Sequence, residues 1–348
     1  MARRGARNVR IKRKYLVWLK EAKGLSEASI DRAATSIDRF ETATRGADFG
    51  TLHPEKIRAF KRELERATNP ATGRPLAAGT IDGTLRDLKA FFSWLADQSG
   101  YRSRVSRSDV AYFTPNRRLA KAAHGGAWID HPSADQVRHA IRLMPGGTVV
   151  QRRDRAIMAM LLLTGARDGA LITLRLANLD LAAGCVSFRG RQVETKFGKA
   201  FTTWFFPVGD DVRAIVADWV GELRRDHLFA PGDALFPKQR VGLGAEGGFE
   251  GGGLARDPWS SAAAVSRICK AAFVAAGLPA YTPHLIRKTL VDLASEHCVT
   301  AEDFKAWSQN LGHEDVLTTF RSYGAVSNGR QREIMSRMSA GSGLVEAP

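Results

Sequence analysis

Four stretches of this 348-residue chain carry residue types able to hold an anion and move a proton. In TGARDGALITL, Arg167 stands directly after a Thr-Gly break, at the start of a helical pattern. In TPHLIRKTL, His284 and Arg287 are three apart, which puts both on one face of a helix. KFGK, residues 196–199, reads as a turn between β-type runs and offers Lys196 and Lys199. LGHEDVLTTFRSYG, residues 311–324, holds His313 and, ten residues later, Tyr323, one of only five tyrosines. Guanidinium is planar, permanently charged and able to grip two oxygens at once. Imidazole moves protons near neutral pH. A phenol that loses its proton is a nucleophile. Alone, each stretch has an ordinary explanation: a capping arginine, a chance His-x-x-Arg pair, a solvated turn lysine, a buried aromatic at a helix end.

The charge says which anion. The chain carries 52 Lys and Arg against 36 Asp and Glu, net +16, with a pI near 10.2. Residues 1–122 hold 26 basic and 13 acidic residues, net +13; the remainder holds 26 and 23, net +3. A basic first third joined to a near-neutral remainder implies a polyanionic partner gripped by one module and served by another. A membrane-surface role fits worse, because the basic part is not one amphipathic helix with an apolar face. The longest apolar run, AIMAMLLL, is too short to span a bilayer. Cys185, Cys269 and Cys298 are scattered without ligand spacing, which argues against a disulfide scaffold or a structural zinc and fits a reducing compartment. The basic N-terminus lacks the apolar stretch of a secretory signal. The Gly-rich segment 242–257 has neither a nucleotide-binding spacing nor a following GK[ST], and reads as a mobile loop. No cofactor and no metal are expected.

These residues must be carried by elements, and the pattern is mainly α with a small antiparallel sheet. Residues 1–10 read as a flexible basic arm. Residues 11–102 read as a bundle of about four helices. There, Ile81, Leu85, Leu88, Phe92 and Leu95 form one apolar stripe with Thr80 as N-cap, and Ile30, Ile37 and Phe40 form another, beginning near Ser26 or Ser29. Residues 103–130, basic and interrupted by Pro and Gly, read as a linker. A second domain over 131–340 starts at Ser133 or Asp130 and begins helical. It then changes period to β-type runs in CVSFRG, RQVET and FTTWFFPV, and returns to helices after Trp259. Residues 341–348 read as a tail.

Taken in chain order, Arg, Lys, His-x-x-Arg, Leu-Gly-His and Tyr resemble the signature of the tyrosine recombinase (phage integrase) family, over nearly the whole chain. The resemblance implies a helical core-binding domain followed by a mixed α/β catalytic domain. It also implies a site-specific DNA recombinase that integrates or excises mobile DNA. Tyr323 is then the nucleophile, forming a covalent 3′-phosphotyrosine. Arg167 and Arg287 clamp the phosphate, Lys196 protonates the leaving 5′-oxygen, and His284 and His313 hydrogen-bond the phosphate or assist proton movement. Lys199 is the alternative acid, and Tyr281 a lesser rival nucleophile. The implied partners are double-stranded DNA, a homotetramer on two sites, and accessory DNA-bending proteins; the implied location is cytoplasmic. Ile334, Met335 and Met338 share a helical face that either packs on its own domain or, as the resemblance suggests, docks on a neighbouring protomer. This sequence departs from the family at Ala170, where an acid is usual, at Lys288, where histidine is frequent, and in the ten-residue gap to Tyr323, where nine is common. Type IB topoisomerase-like nicking and resealing, or a non-catalytic DNA-binding regulator, would use the same residues differently.

Overall fold

The structure, a computed structural model, describes residues 2–70, 72–124, 130–188, 200–243 and 249–313, with 329, 331–333 and 335–336 near the C-terminus. The chain divides into two compact units, Met1–Ala127 and Trp128–Pro348.

The first unit contains α1 (Ala2–Glu21), α2 (Glu27–Ala43), α3 (Pro54–Arg66), α4 (Ala78–Leu95), α5 (Arg107–Val110) and α6 (Arg117–His124). The apolar stripe of α4 is its core: Ile81, Leu85, Leu88, Phe92 and Leu95 are all buried. Tyr15, Phe40, Phe49, Phe60, Phe91 and Phe113 close around it, mostly edge to face at 5–6 Å. Ser26 caps α2 by position, and α4 begins two residues before Thr80, with Ala77 as its N-cap.

Two expectations for this unit are corrected. Residues 2–10 are not a free arm but the first half of α1. Asn8 is fully buried and holds them in place. Its amide donates to Glu41 Oε1 at 3.0 Å and to the Ala47 carbonyl at 2.9 Å, and it accepts from the Phe49 N–H at 3.2 Å. Residues 103–124 are not a linker either. Val105, Val110 and Phe113 bury into the helical core, so the basic residues around them sit on short packed helices.

The second unit opens with α7 (Ala134–Leu143), started by a Ser133–Gln136 capping box, and α8 (Val149–Thr164). From Ala156 to Thr164 every residue of α8 is buried, because α7 and three later helices surround it. After α9 (Asp168–Ile172) come β1 (Leu179–Asp180), β2 (Cys185–Phe188) and β3 (Phe201–Trp204), an antiparallel sheet in the order β1-β2-β3. Phe188 pairs with Phe201 and Cys185 with Trp204. Then follow α10 (Asp210–Arg225), β4 (Gln239–Leu243), β5 (Phe249–Leu254), α11 (Ala263–Ala275), α12 (Pro283–His297) and α13 (Ala301–Asn310). In the Gly-rich segment expected to be a loop, residues 242–243 and 249–254 belong to the antiparallel strands β4 and β5, with a register shift between Gln239 and Val241. The fold is mainly helical with small antiparallel sheets. Among the described residues, no helix is long and apolar enough to cross a membrane.

Candidate active site

Three chain turns meet in the second unit. The first ends α8. Gly165 adopts φ 57°, ψ 24°, which stops the helix, and the chain re-enters helix at Asp168 with Arg167 as the N-cap residue. Arg167 makes no capping bond with its side chain, so its guanidinium is left exposed for other work.

The second is the start of α12. Pro283 occupies its first turn, where the missing N–H costs nothing. His284 follows at the exposed rim, and Arg287, one turn on, is buried at 6% exposure.

The third is the end of α13, and it explains the Leu-Gly-His triplet. The Gly312 N–H donates to the Gln309 carbonyl at 2.7 Å and the His313 N–H to the Ser308 carbonyl at 3.1 Å, with Gly312 at φ 67°. That is a Schellman cap, whose left-handed position favours glycine. A Cβ at Gly312 would lie 3.0 Å from the Phe201 ring, so glycine is needed for space as well. The residue after the cap, His313, is thereby aimed by the helix end.

Arg287 ties the three turns together. Its Nη1 donates to the Gly165 carbonyl at 2.5 Å, and its Nη2 donates to the Leu311 carbonyl. Gly165 itself lies so close to α12 and α13 that a Cβ there would meet Leu311 Cδ2 at 2.8 Å and Leu290 Cδ1 at 3.0 Å. The sheet borders the same place: Thr164, Arg167, Phe188, Phe201, Thr203 and Arg287 line one small cavity. A roomier cleft of about 380 Å³, with the His131–Asp292 pair at 2.7 Å on its wall, opens on a different face of α12.

The electrostatics are one-sided. Among the described residues, neither Arg167 nor Arg287 has a carboxylate within ion-pair distance. Burial, with Arg167 adding repulsion, pulls the Arg287 guanidinium down to about 9. Loss of solvation lowers Arg167 as well, although the residue as a whole is exposed. His313 is pushed down to about 4 by burial and then by Arg287, Arg167 and His284. His284 is lowered by burial, Arg287 and Arg167, with Asp168 opposing. Among the described residues Asp168 is the acid whose charge reaches His284, while Ala170 is buried in the core. Two arginines with no carboxylate within ion-pair distance among the described residues, set beside two imidazoles lowered toward the neutral form, suit the binding of an anion, since buried charge that lacks a partner is costly.

Of the six expected site residues, Arg167, His284, Arg287 and His313 are brought together. Lys196 and Tyr323 lie outside the described residues, as do Lys199, Ile334 and Met338. Lys196 belongs to the segment joining the paired strands β2 and β3. Tyr281 is excluded from the cluster by its bonding. Its hydroxyl donates to Asp130 Oδ2 at 2.8 Å and its ring meets Phe273 edge-on at 5.2 Å, a packing role. Two features escaped the sequence reading: the bracing role of Arg287 and the close approach at Gly165. Both depend on contacts across many residues.

Residues 128–330 match the Phage integrase family. Tyrosine recombinase XerC of Xanthomonas axonopodis pv. citri (strain 306) is 25% identical over 248 residues, 71% of this chain and 67% of that protein. XerC of Stutzerimonas stutzeri (strain A1501) is 24% identical over 311 residues, 88% of each chain. Among solved structures, a lambda integrase tetramer bound to a Holliday junction superposes with a TM-score of 0.59 at 16% identity, covering 88% of this chain and 76% of that one.

Proposed function

Because the chain belongs to the phage integrase family and is a tyrosine-type site-specific recombinase, an enzyme that cleaves and rejoins DNA, we propose that it works through a covalent 3′-phosphotyrosine on Tyr323. The Tyr323 oxygen attacks the scissile phosphorus, a tyrosine–phosphate bond forms, and the bond from phosphorus to the 5′-oxygen breaks. Lys196 gives its proton to that leaving oxygen. Arg167 and Arg287 hold the non-bridging oxygens, where charge grows in the transition state. His284 and His313, held neutral by burial and neighbouring arginines, can each donate one hydrogen bond to the phosphate and accept a proton. The bond energy stays in the phosphotyrosine, so a 5′-hydroxyl from another strand reverses the step without a nucleotide cofactor.

The observation that supports this reading is the gathering of Arg167, Arg287, His284 and His313 at the meeting of three turns, with no carboxylate in ion-pair reach of either arginine among the described residues. Double-stranded DNA is the partner, and the working form is a homotetramer holding two sites, integrating or excising mobile DNA. Accessory DNA-bending proteins assist it. The enzyme works in the cytoplasm, associated with the nucleoid when bound.

Covalent trapping tests it. The purified protein is incubated with nicked duplexes drawn from the DNA flanking its own gene, with EDTA present. The expected result is an adduct on a denaturing gel that mass spectrometry locates on Tyr323 and that Tyr323→Phe abolishes. Tight binding to the same DNA with no adduct would favour a regulator without catalysis.

A further inference from the structure

Among the described residues β3 is an edge strand: one of its edges pairs with β2, and no other described strand pairs with the second. Its backbone groups alternate between the two. The Phe205 N–H turns toward β2 and donates to the Gly184 carbonyl at 2.8 Å; those of Trp204 and Phe206 turn outward. The Phe206 N–H reaches the Leu163 carbonyl at 2.8 Å, in the last turn of α8. Trp204 meets a side chain instead. Its N–H donates to Asn310 Oδ1 at 2.7 Å, and its carbonyl accepts from Asn310 Nδ2 at 2.9 Å. The pairing fixes which end of the amide is oxygen. A third bond runs from the Thr203 hydroxyl to the Asn310 backbone carbonyl at 2.9 Å. Thr203 is 1% exposed, so that hydroxyl has its partner in a dry place.

Asn310 is the last residue of α13, and Leu311, Gly312 and His313 follow it directly. Its amide therefore does what a neighbouring strand would do for β3, one residue before the Schellman cap that aims His313. Phe201, at the other end of β3, lies under Gly312. The strand is thus attached to the Leu-Gly-His turn at both ends.

We propose that Asn310 is a positioning residue that locks the outer edge of β3 to the Leu311–Gly312–His313 turn, so that β3, the strand that follows Lys196 in the chain, and the turn carrying His313 hold one register. The inference rests on the reading of Lys196 as the acid, because β3 is the strand that leads out of the Lys196 segment. Asn310 touches no reacting atom. It acts through Trp204 and the turn.

The test compares Asn310→Leu, which keeps the branched outline of the side chain and removes both amide bonds, with Asn310→Asp, which keeps only the acceptor for the Trp204 N–H. Asn310 is partly exposed, so both variants should fold. Hydrogen exchange on the free full-length protein comes first. In Asn310→Leu the Trp204 amide should exchange at least tenfold faster, with the first unit unchanged; an unaltered rate would overturn the proposal. Single-turnover cleavage then uses the duplex that yields the Tyr323 adduct, once with its ordinary 5′-oxygen leaving group and once with sulfur in its place. A thiolate leaves without needing a proton. Asn310→Leu should cleave the oxygen substrate tenfold or more slowly, bind it within twofold of wild type, and recover on sulfur; Asn310→Asp should fall between. Lys196→Ala should also recover on sulfur, and Arg167→Ala should not. Recovery by Lys196→Ala but not by Asn310→Leu would overturn the proposal and spare the assignment of the acid. Recovery by Asn310→Leu alone would mean that another group is the acid, overturning the assignment of Lys196 and with it this proposal.

Discussion

At the scale of single residues, the two arginines have different tasks and should fail differently. Arg167 makes no bond that holds the fold among the described residues, whereas Arg287 donates to two carbonyls on separate turns. Arg167→Ala should therefore slow cleavage by about 10²–10³-fold, the usual loss for one transition-state donor, with an unchanged melting temperature. Arg287→Ala should lose cleavage and also stability, by about 1–3 kcal/mol, because it leaves buried carbonyls unpaired. Single-turnover cleavage and thermal melts on both variants separate the two roles; equal melting temperatures would remove the brace. The histidines add a pH signature. In the free protein His313 titrates near 4 and His284 lies below its ordinary value, near 6.5. The unfolded chain binds its protons at that ordinary value, so this contribution to stability is whole above it and is lost as pH falls toward 4. A phosphate in the site replaces repulsion by attraction and raises both groups, so DNA binding takes up protons. Affinity should rise as pH drops from 7 to 5, and His313→Gln should blunt the rise; binding that is flat with pH in wild type would contradict the electrostatics. The sequence announced which residue types form the cluster, since their order and spacing are local. It could not announce that Arg287 is structural as well, because Gly165 lies 122 residues away.

At the scale of elements, what was legible was what obeys a short period. The stripes of α2 and α4 predicted buried faces, and those faces are buried. The arm, the linker and the Gly-rich loop were misread because composition was taken for conformation. Arginines on α1 keep a helical backbone whose inner side carries Asn8. Val105, Val110 and Phe113 were too sparse to look like a stripe, yet each fills the core beside α4. Gly251 of β5 pairs with Val241 of β4 despite the poor strand preference of glycine. The Gly165 turn is the element on which the site depends most. A side chain there would be strained by the left-handed backbone and would collide with Leu311. Gly165→Ala should cost about 1–3 kcal/mol in chemical denaturation and slow cleavage by displacing the third turn. Much of the collision should be relieved by shortening the neighbour, so Gly165→Ala combined with Leu311→Ala should be less destabilised than the sum of the single changes. Strict additivity would mean that the two turns are not packed as described.

At the scale of the whole molecule, the charge is divided as the work is. The first unit has 26 basic and 13 acidic residues, and its helices present arginines such as Arg10 and Arg13 to solvent without a carboxylate partner among the described residues. The second unit is close to neutral overall, and among its described residues neither Arg167 nor Arg287 has a carboxylate within ion-pair distance, which concentrates positive charge at the site. Affinity and chemistry should then respond to different substitutions. Each phosphate contact made by an exposed arginine releases counterions, adding roughly 0.9 to the slope of log affinity against log salt. If α1 lies along the DNA backbone, Arg10→Ala with Arg13→Ala should reduce that slope by up to about 1.8. Cleavage at saturating DNA should be unaltered, because no reacting group has moved. Arg167→Ala should do the opposite, removing cleavage while changing the slope by no more than one contact. Truncating residues 1–10 is a poor probe of the same idea, since it also deletes Asn8 and with it the anchor of α1 on Glu41, Ala47 and Phe49. Fluorescence anisotropy at several salt concentrations measures the slope directly. An unchanged slope in the double variant would mean that this face of α1 points away from DNA and that the basic residues packed on α5 and α6 do the gripping.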